Sequence, residues 1–208
     1  MKPIIGNRTE RKKEETRKRI IAVAMELFIK QGFEQTTVEQ IAEEADLAKG
    51  TIYNHFPVKE AILCEYVQRR IKEQGPLALN ELKQLPDTRS RLIAALHKTL
   101  EWMQVQLNND IYEKYFIYRM QTIVQSIEDK RRRSGVSHIL EQIVELGKET
   151  GEIRQDVPTK VLAGYLETIS SFTAIGWVTR PECFSIYEAI DMNVDIFLSG
   201  ARKEDNQK

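Results

Sequence analysis

The chain has 208 residues, 41% hydrophobic and 30% charged, enough apolar material to fill a core and too much for wholesale disorder. Its 31 basic and 31 acidic residues cancel, which by itself argues against a nucleic-acid partner. However, Lys2, Arg8, Arg11, Lys12, Lys13, Arg17, Lys18 and Arg19 crowd the first nineteen positions against only Glu10, Glu14 and Glu15, so one end can still dock on phosphate.

The N-terminus is polar, with no apolar stretch before a small-residue cleavage site, and no apolar run approaches the ~20 residues that span a bilayer. A cytoplasmic protein without membrane contact is expected. Cys64 and Cys183 lie far apart and outside any CxxC, which favours reduced thiols over a disulfide framework or a zinc site.

Helical periodicity dominates in chain order. From Glu15 to Lys30, Ile20, Ala24, Leu27 and Phe28 form one apolar stripe, and Gly32 stops the helix. Thr37 followed by Gln40 three residues later reads as a capping box, opening a short helix over Thr37–Ala45. A second short helix is predicted over Ala48–Phe56, with Ile52 and Phe56 available to face inward. Pro57 suits the start of a fourth helix from Val58 to Gln74, which Gly75-Pro76 is expected to break. Further helices are predicted over Leu77–Leu85, Thr88–Leu107, Asp110–Lys130, Ser137–Glu149, Thr159–Thr179 and Phe184–Ser199, with a frayed polar tail from Arg202. There is no convincing strand and no repeat. The fold class is all-α, with about nine helices.

Two short helices joined by a tight turn make a candidate helix-turn-helix. The second would read the major groove, its N-terminal residues nearest the base edges. Lys49, Gly50, Thr51, Tyr53, Asn54 and His55 point outward there. Lys49 offers a charge to phosphate or a donor to guanine, and Thr51 a hydroxyl or a methyl. Tyr53 and His55 can donate to phosphate oxygens, and Gly50 permits close approach of the backbone. Lys59 and the Thr37 end of the preceding helix would add phosphate contacts. The same pattern is compatible with two ordinarily packed helices, with Tyr53 in a core and His55 on a plain surface.

The stretch from Thr37 to Glu60, above all Gly50-Thr51-Ile52-Tyr53-x-His55-Phe56 followed by Lys59-Glu60, closely resembles the DNA-binding signature of the tetracycline-repressor (TetR) family. The resemblance covers roughly residues 16–65. Three positions depart from it: Asp46 stands where the family usually has a turn glycine, Ala48 where Ser or Thr caps the recognition helix, and Val58 where Ser or Asn caps the next one. The resemblance implies a basic arm (1–14), a three-helix DNA-binding domain with its connecting helix (15–74) and a helical effector-binding and dimerisation domain (75–208). It also implies a homodimer on a palindromic double-stranded operator, with reading heads ~34–36 Å apart, acting as a repressor released when a small effector shifts the population.

Within the C-terminal part, Ile186, Ile190, Val194 and Phe197 make a stripe in the last helix, and Tyr165 and Ile169 supply area in the helix before it. These six are the expected dimer contacts, although periodicity alone cannot separate interface from core. Aromatic and Met residues gather at Trp102, Met103, Tyr112, Tyr115, Phe116 and Met120, with Tyr165, Phe172 and Trp177 as a possible far wall. Such a lining suits a hydrophobic or aromatic effector, though it is equally a pattern of plain core. Enzyme chemistry finds little support. His55, His97 and His138 are scattered, His138 and Glu141 at i, i+3 lack supporting carboxylates, and there is no GxSxG, P-loop or Rossmann glycine pattern. No cofactor and no metal is expected. A helical adaptor without DNA binding is the remaining alternative.

Overall fold

A computed structural model describes residues 8–107, 109–128 and 135–201. Its helices are α1 (Arg8–Gln31), α2 (Val38–Glu44), α3 (Lys49–His55), α4 (Lys59–Leu82), α5 (Thr88–Gln106), α6 (Asn109–Glu128), α7 (Gly135–Glu149), α8 (Thr159–Thr179) and α9 (Ile186–Ala201). No β-strand occurs among the described residues. The fold is all-α. Residues 1–7 of the basic arm, Asp129 and Lys130 at the end of the expected Asp110–Lys130 helix, and the tail from Arg202 lie outside the described residues. Contacts divide the chain into two units, one up to Val67 and one from Gln68 onward.

In the first unit, local chemistry sets the punctuation. Gly32 takes φ +91° after α1, a conformation with little cost only for glycine, and its N–H bonds back to the Phe28 carbonyl at 3.1 Å. Thr37 then caps α2 reciprocally: the Gln40 N–H donates to Thr37 Oγ1 at 3.2 Å, and the Thr37 N–H donates to Gln40 Oε1 at 2.9 Å. Asp46 makes the α2–α3 turn at φ +50°, the left-handed region that Asp tolerates better than most residues. Ala48 caps α3 without a side-chain hydrogen bond. The core beneath is Ile20, Phe28, Phe33, Ile41, Ile52 and Ile62, all at zero exposure, with the Phe28 and Phe33 rings 4.7 Å apart.

Two helix boundaries differ by more than two residues from the sequence reading. First, α1 begins at Arg8, so the arm from there to Glu14 is already helical. Second, α4 runs through Pro76 to Leu82 as one helix, where a break was expected. Proline removes one backbone donor and crowds the preceding turn. Here Ile71 before it and Leu82 beyond it are both buried, and Gly75 lies against Ile139 of α7, so packing on both sides of Pro76 holds the helix together.

In the second unit α8 packs on α6, α7 and α9, and α5 packs on α7 and α9. Leu92, Ile111, Leu140, Leu166 and Val194 form its dry centre. A polar seam ties α5 to α9: Arg89 donates to both oxygens of Asp195 at 2.6 and 2.9 Å, and His97 Nε2 lies 2.8 Å from Asp191 Oδ1. The start of α5 is latched by the α7–α8 loop, where Glu152 Oε2 accepts from the Thr88 N–H at 2.8 Å.

Candidate nucleic-acid interface and effector cavity

α3 buries Ile52, and Phe56 follows at its C-cap. The remaining residues form an outward polar edge. Lys49, Gly50, Tyr53 and Asn54 are exposed, while Thr51 and His55 are half-buried. A β-carbon placed on Gly50 would meet nothing within 4 Å. Glycine inside a helix costs about 1 kcal/mol relative to Ala, and nothing in the surrounding fold requires it there. Thr37 is exposed at the N-cap of α2, its hydroxyl engaged with the Gln40 N–H.

The charges on this edge have partners. Lys49 pairs with Glu39 of α2 and lies 5.8 Å from the Tyr53 ring centre. The pair lowers the Glu39 carboxyl and raises the Lys49 ammonium from their ordinary values, hydrogen bonding being the main cause for both. Lys59 is turned inward: its Nζ donates to the Phe33 carbonyl at 2.7 Å and the Thr36 carbonyl at 3.2 Å, over the Phe33 ring. It fastens the α1–α2 turn, a role that the sequence reading did not anticipate. Burial, then Arg17 and Lys13, push the His55 imidazole below its usual value despite Glu65, so near neutrality it offers a neutral ring.

Arg17 was read from the sequence only as part of the basic run. In the fold its Nη1 donates to the His55 carbonyl at 3.1 Å, its Nε and Nη2 reach Glu65 of α4, and its guanidinium lies 4.5 Å from the Phe56 ring centre. It therefore joins α1, the C-terminal end of α3 and α4. No local periodicity signals a contact 48 residues apart.

The second unit holds a cavity of about 70 Å³ between α5, α6 and α8. Met103, Tyr112, Tyr115 and Phe116 are among the residues that line it. Trp102 instead lines a second cavity of about 170 Å³ between α4, α5 and α7. Met120 is half-buried elsewhere, and Trp177 meets Tyr112 edge-on, with ring centres 6.2 Å apart. Tyr165 and Phe172 face outward, 62% and 69% exposed, and do not wall the cavity. What the sequence reading missed is its polar side: Arg119 and Glu167, 3.6 Å apart and largely buried, with Ser137 donating to Glu167 and Ser170 close by.

The expected dimer residues separate into two groups. Ile186, Ile190, Val194 and Phe197 are at most 7% exposed and face the chain's own core, a correction to the sequence reading. Tyr165 and Ile169 are exposed, and they share the surfaces of α8 and α9 with Val161, Phe172, Met192 and Ile196. Among the described residues α8 is also long and apolar enough to cross a membrane by length and composition, contrary to the sequence reading. Leu162, Ala163, Leu166 and Ala174 nonetheless bury one face of it within the unit. No cluster of three His, Cys, Asp or Glu side chains suited to a metal occurs among the described residues.

Residues 20–66 match the sequence model of bacterial regulatory proteins of the tetR family. YerO of Bacillus subtilis (strain 168), an HTH-type transcriptional regulator, is 47% identical over 55 residues, which is 25% of this chain and only 19% of that protein. The fatty acid metabolism regulator protein of the same organism is 22% identical over 181 residues, 87% of this chain and 93% of that one. Among solved structures, Thermus thermophilus FadR in complex with lauroyl-CoA superposes with a TM-score of 0.76 at 23% identity, covering 92% of this chain and 98% of that one. At that identity the likeness is one of fold.

Proposed function

We propose, from the membership of residues 20–66 in the tetR family of bacterial regulatory proteins, that this chain is a cytoplasmic transcriptional repressor that binds an operator as a homodimer. The observation that carries DNA reading is the outward edge of α3, with Gly50 opening onto empty space between Lys49 and Thr51. A side chain there would hold the helix away from a groove floor, and its absence lets the backbone approach. Lys49, Thr51, Tyr53, Asn54 and His55 supply donors and acceptors for base edges and phosphates. Thr37 and Lys59 act at the edge, Lys59 chiefly by holding the α1–α2 turn in place.

Dimerisation is assigned to the apolar surface of α8 and α9: Tyr165, Ile169, Phe172, Met192 and Ile196. A patch of large exposed apolar side chains is unfavourable in water and marks an association surface, and a two-fold palindrome calls for two copies. The effector is a small, largely apolar molecule held in the cavity lined by Met103, Tyr112, Tyr115 and Phe116. By favouring a dimer of lower operator affinity, ~1–3 kcal/mol of coupling would suffice for release.

Fluorescence anisotropy with DNA from upstream of the gene, repeated across a salt series, tests the reading. Sequence-selective binding with a steep salt dependence is expected. Binding left intact by Tyr53→Ala combined with Asn54→Ala would remove it.

A further inference from the structure

We propose that the cavity between α5, α6 and α8 selects an uncharged molecule, mainly apolar and carrying a hydroxyl or carbonyl group, and discriminates against free carboxylates and ammonium ions. The inference rests on the reading of this cavity as the effector site and narrows it to a ligand class.

The lining carries two charges among the described residues, Arg119 and Glu167, of opposite sign and 3.6 Å apart. Their side chains are 9% and 17% exposed. A carboxylate entering here would compete with Glu167 for the guanidinium and place two anions together away from water. An ammonium ion would crowd Arg119 in the same way. Disturbing one partner of a buried pair is strongly unfavourable because the other charge is left uncompensated. An uncharged ligand leaves the pair intact.

The hydrogen-bonding capacity on offer is also uncharged. Three hydroxyls of α8, on Thr168, Thr173 and Thr179, bond back to carbonyls of their own helix at 2.8, 3.0 and 3.1 Å. Ser170, on the cavity wall, does not. Its Oγ is buried with no hydrogen-bond partner, and the same holds for the hydroxyl of Tyr112, another wall residue at 2% exposure. Buried polar atoms almost always have partners, and a hydroxyl can both donate and accept. A ligand hydroxyl or carbonyl satisfies such a group without bringing charge. The walls otherwise offer Leu96, Leu100, Met103 and Phe116 to an apolar body.

Size adds a link to regulation. About 70 Å³ is roughly half the ~150 Å³ known to take a benzene ring in a protein interior. A ring-sized ligand held wholly within it would spread the side chains of α5, α6 and α8, which would give it different affinities for the unexpanded and expanded forms.

The test uses the full chain and three probes of like size with different head groups: benzyl alcohol, benzoate and benzylammonium, titrated by calorimetry and ligand-observed NMR. Benzyl alcohol is expected to bind, with the two ions at least about tenfold weaker. Ser170→Ala should weaken the alcohol roughly fivefold. Glu167→Gln, which removes the carboxylate from the lining, should turn the preference towards benzoate. The proposal is overturned if either ion binds the unaltered chain as tightly as the alcohol, if the alcohol does not bind, or if Ser170→Ala leaves its affinity unchanged. Should Glu167→Gln fail to fold, the three-probe comparison and Ser170→Ala decide. Operator binding measured on the same preparation separates the two readings: DNA bound without the expected probe selectivity removes only the ligand class, whereas no DNA binding removes the regulator itself.

Discussion

Arg17 and Glu65, on α1 and α4, form a paired contact in which Arg17 Nε donates to Glu65 Oε1 at 3.0 Å, while the free end of the guanidinium reaches the His55 carbonyl at 3.1 Å. A cation at the C-terminal end of α3 complements the helix dipole and satisfies a terminal carbonyl. The planar fork is what permits both contacts at once. Arg17→Ala should therefore cost about 1–2 kcal/mol in urea denaturation and weaken operator binding, with Arg17→Lys restoring little of either. Unchanged stability and affinity in Arg17→Ala would show that the contact does not position α3.

Gly50 separates folding from recognition. Because a β-carbon there meets nothing, Gly50→Leu should leave stability unchanged or raise it by up to about 1 kcal/mol through helix propensity. Operator affinity should fall at least about tenfold, since a bulky side chain would stand between helix and groove. Thermal melts and anisotropy on the same sample check both halves. A variant that bound DNA normally would move Gly50 out of the interface.

Glu39 of α2 holds Lys49 on the exposed edge of α3. Phosphates must compete with that carboxylate and also approach its negative charge. Glu39→Gln is expected to tighten operator binding several-fold at low salt, with the gain shrinking as salt rises. Weaker binding would mean that the pair orients Lys49 productively instead of competing for it.

The depressed His55 sets a pH dependence. Its folded-state value lies below 6.5, from burial first and then from Arg17 and Lys13. As pH falls through 6.5 the unfolded chain takes up the proton before the folded one does. The contribution of His55 to stability is thus complete above that value and is lost as pH drops towards the folded value. Chemical denaturation across this range should show stability rising with pH, and His55→Gln should flatten that part of the slope. An equal slope in the variant would assign the effect to other groups.

Phe172 is 69% exposed on α8, so Phe172→Asp removes no core packing. It should convert dimer to monomer in analytical ultracentrifugation while helicity by circular dichroism stays unchanged, and operator affinity should drop with the loss of the second reading head. A dimer that survived this change at micromolar concentration would place the association surface elsewhere.

Much of the first unit was legible because its rules are local. Thr37 and Gln40 close a capping box within one turn, Gly32 and Asp46 take positive φ where the chain must reverse, and Ile52 and Phe56 turn inward by helical spacing. Lys59 was less legible. A basic residue beside a candidate reading head suggests a phosphate contact, but the Phe33 and Thr36 carbonyls that receive its ammonium come within reach only after α1 and α2 have packed.

Sequence by itself determined the all-helical character, the pair of short helices and the match of residues 20–66 to the tetR family model, since these depend on residues within a few turns of one another. Tertiary structure decided which apolar faces are covered. Ile190 and Val194 went to the core and Met192 and Ile196 to the surface of the same helix, Tyr165 and Phe172 turned away from the cavity, and Arg119 met Glu167 on its wall. Periodicity specifies that a helix has an apolar stripe, but burial depends on what lies opposite, and that neighbour is supplied by chain distant in sequence. For the same reason Pro76 failed to end α4: Ile71 and Leu82, anchored on either side of it, oppose a break that local preference favours.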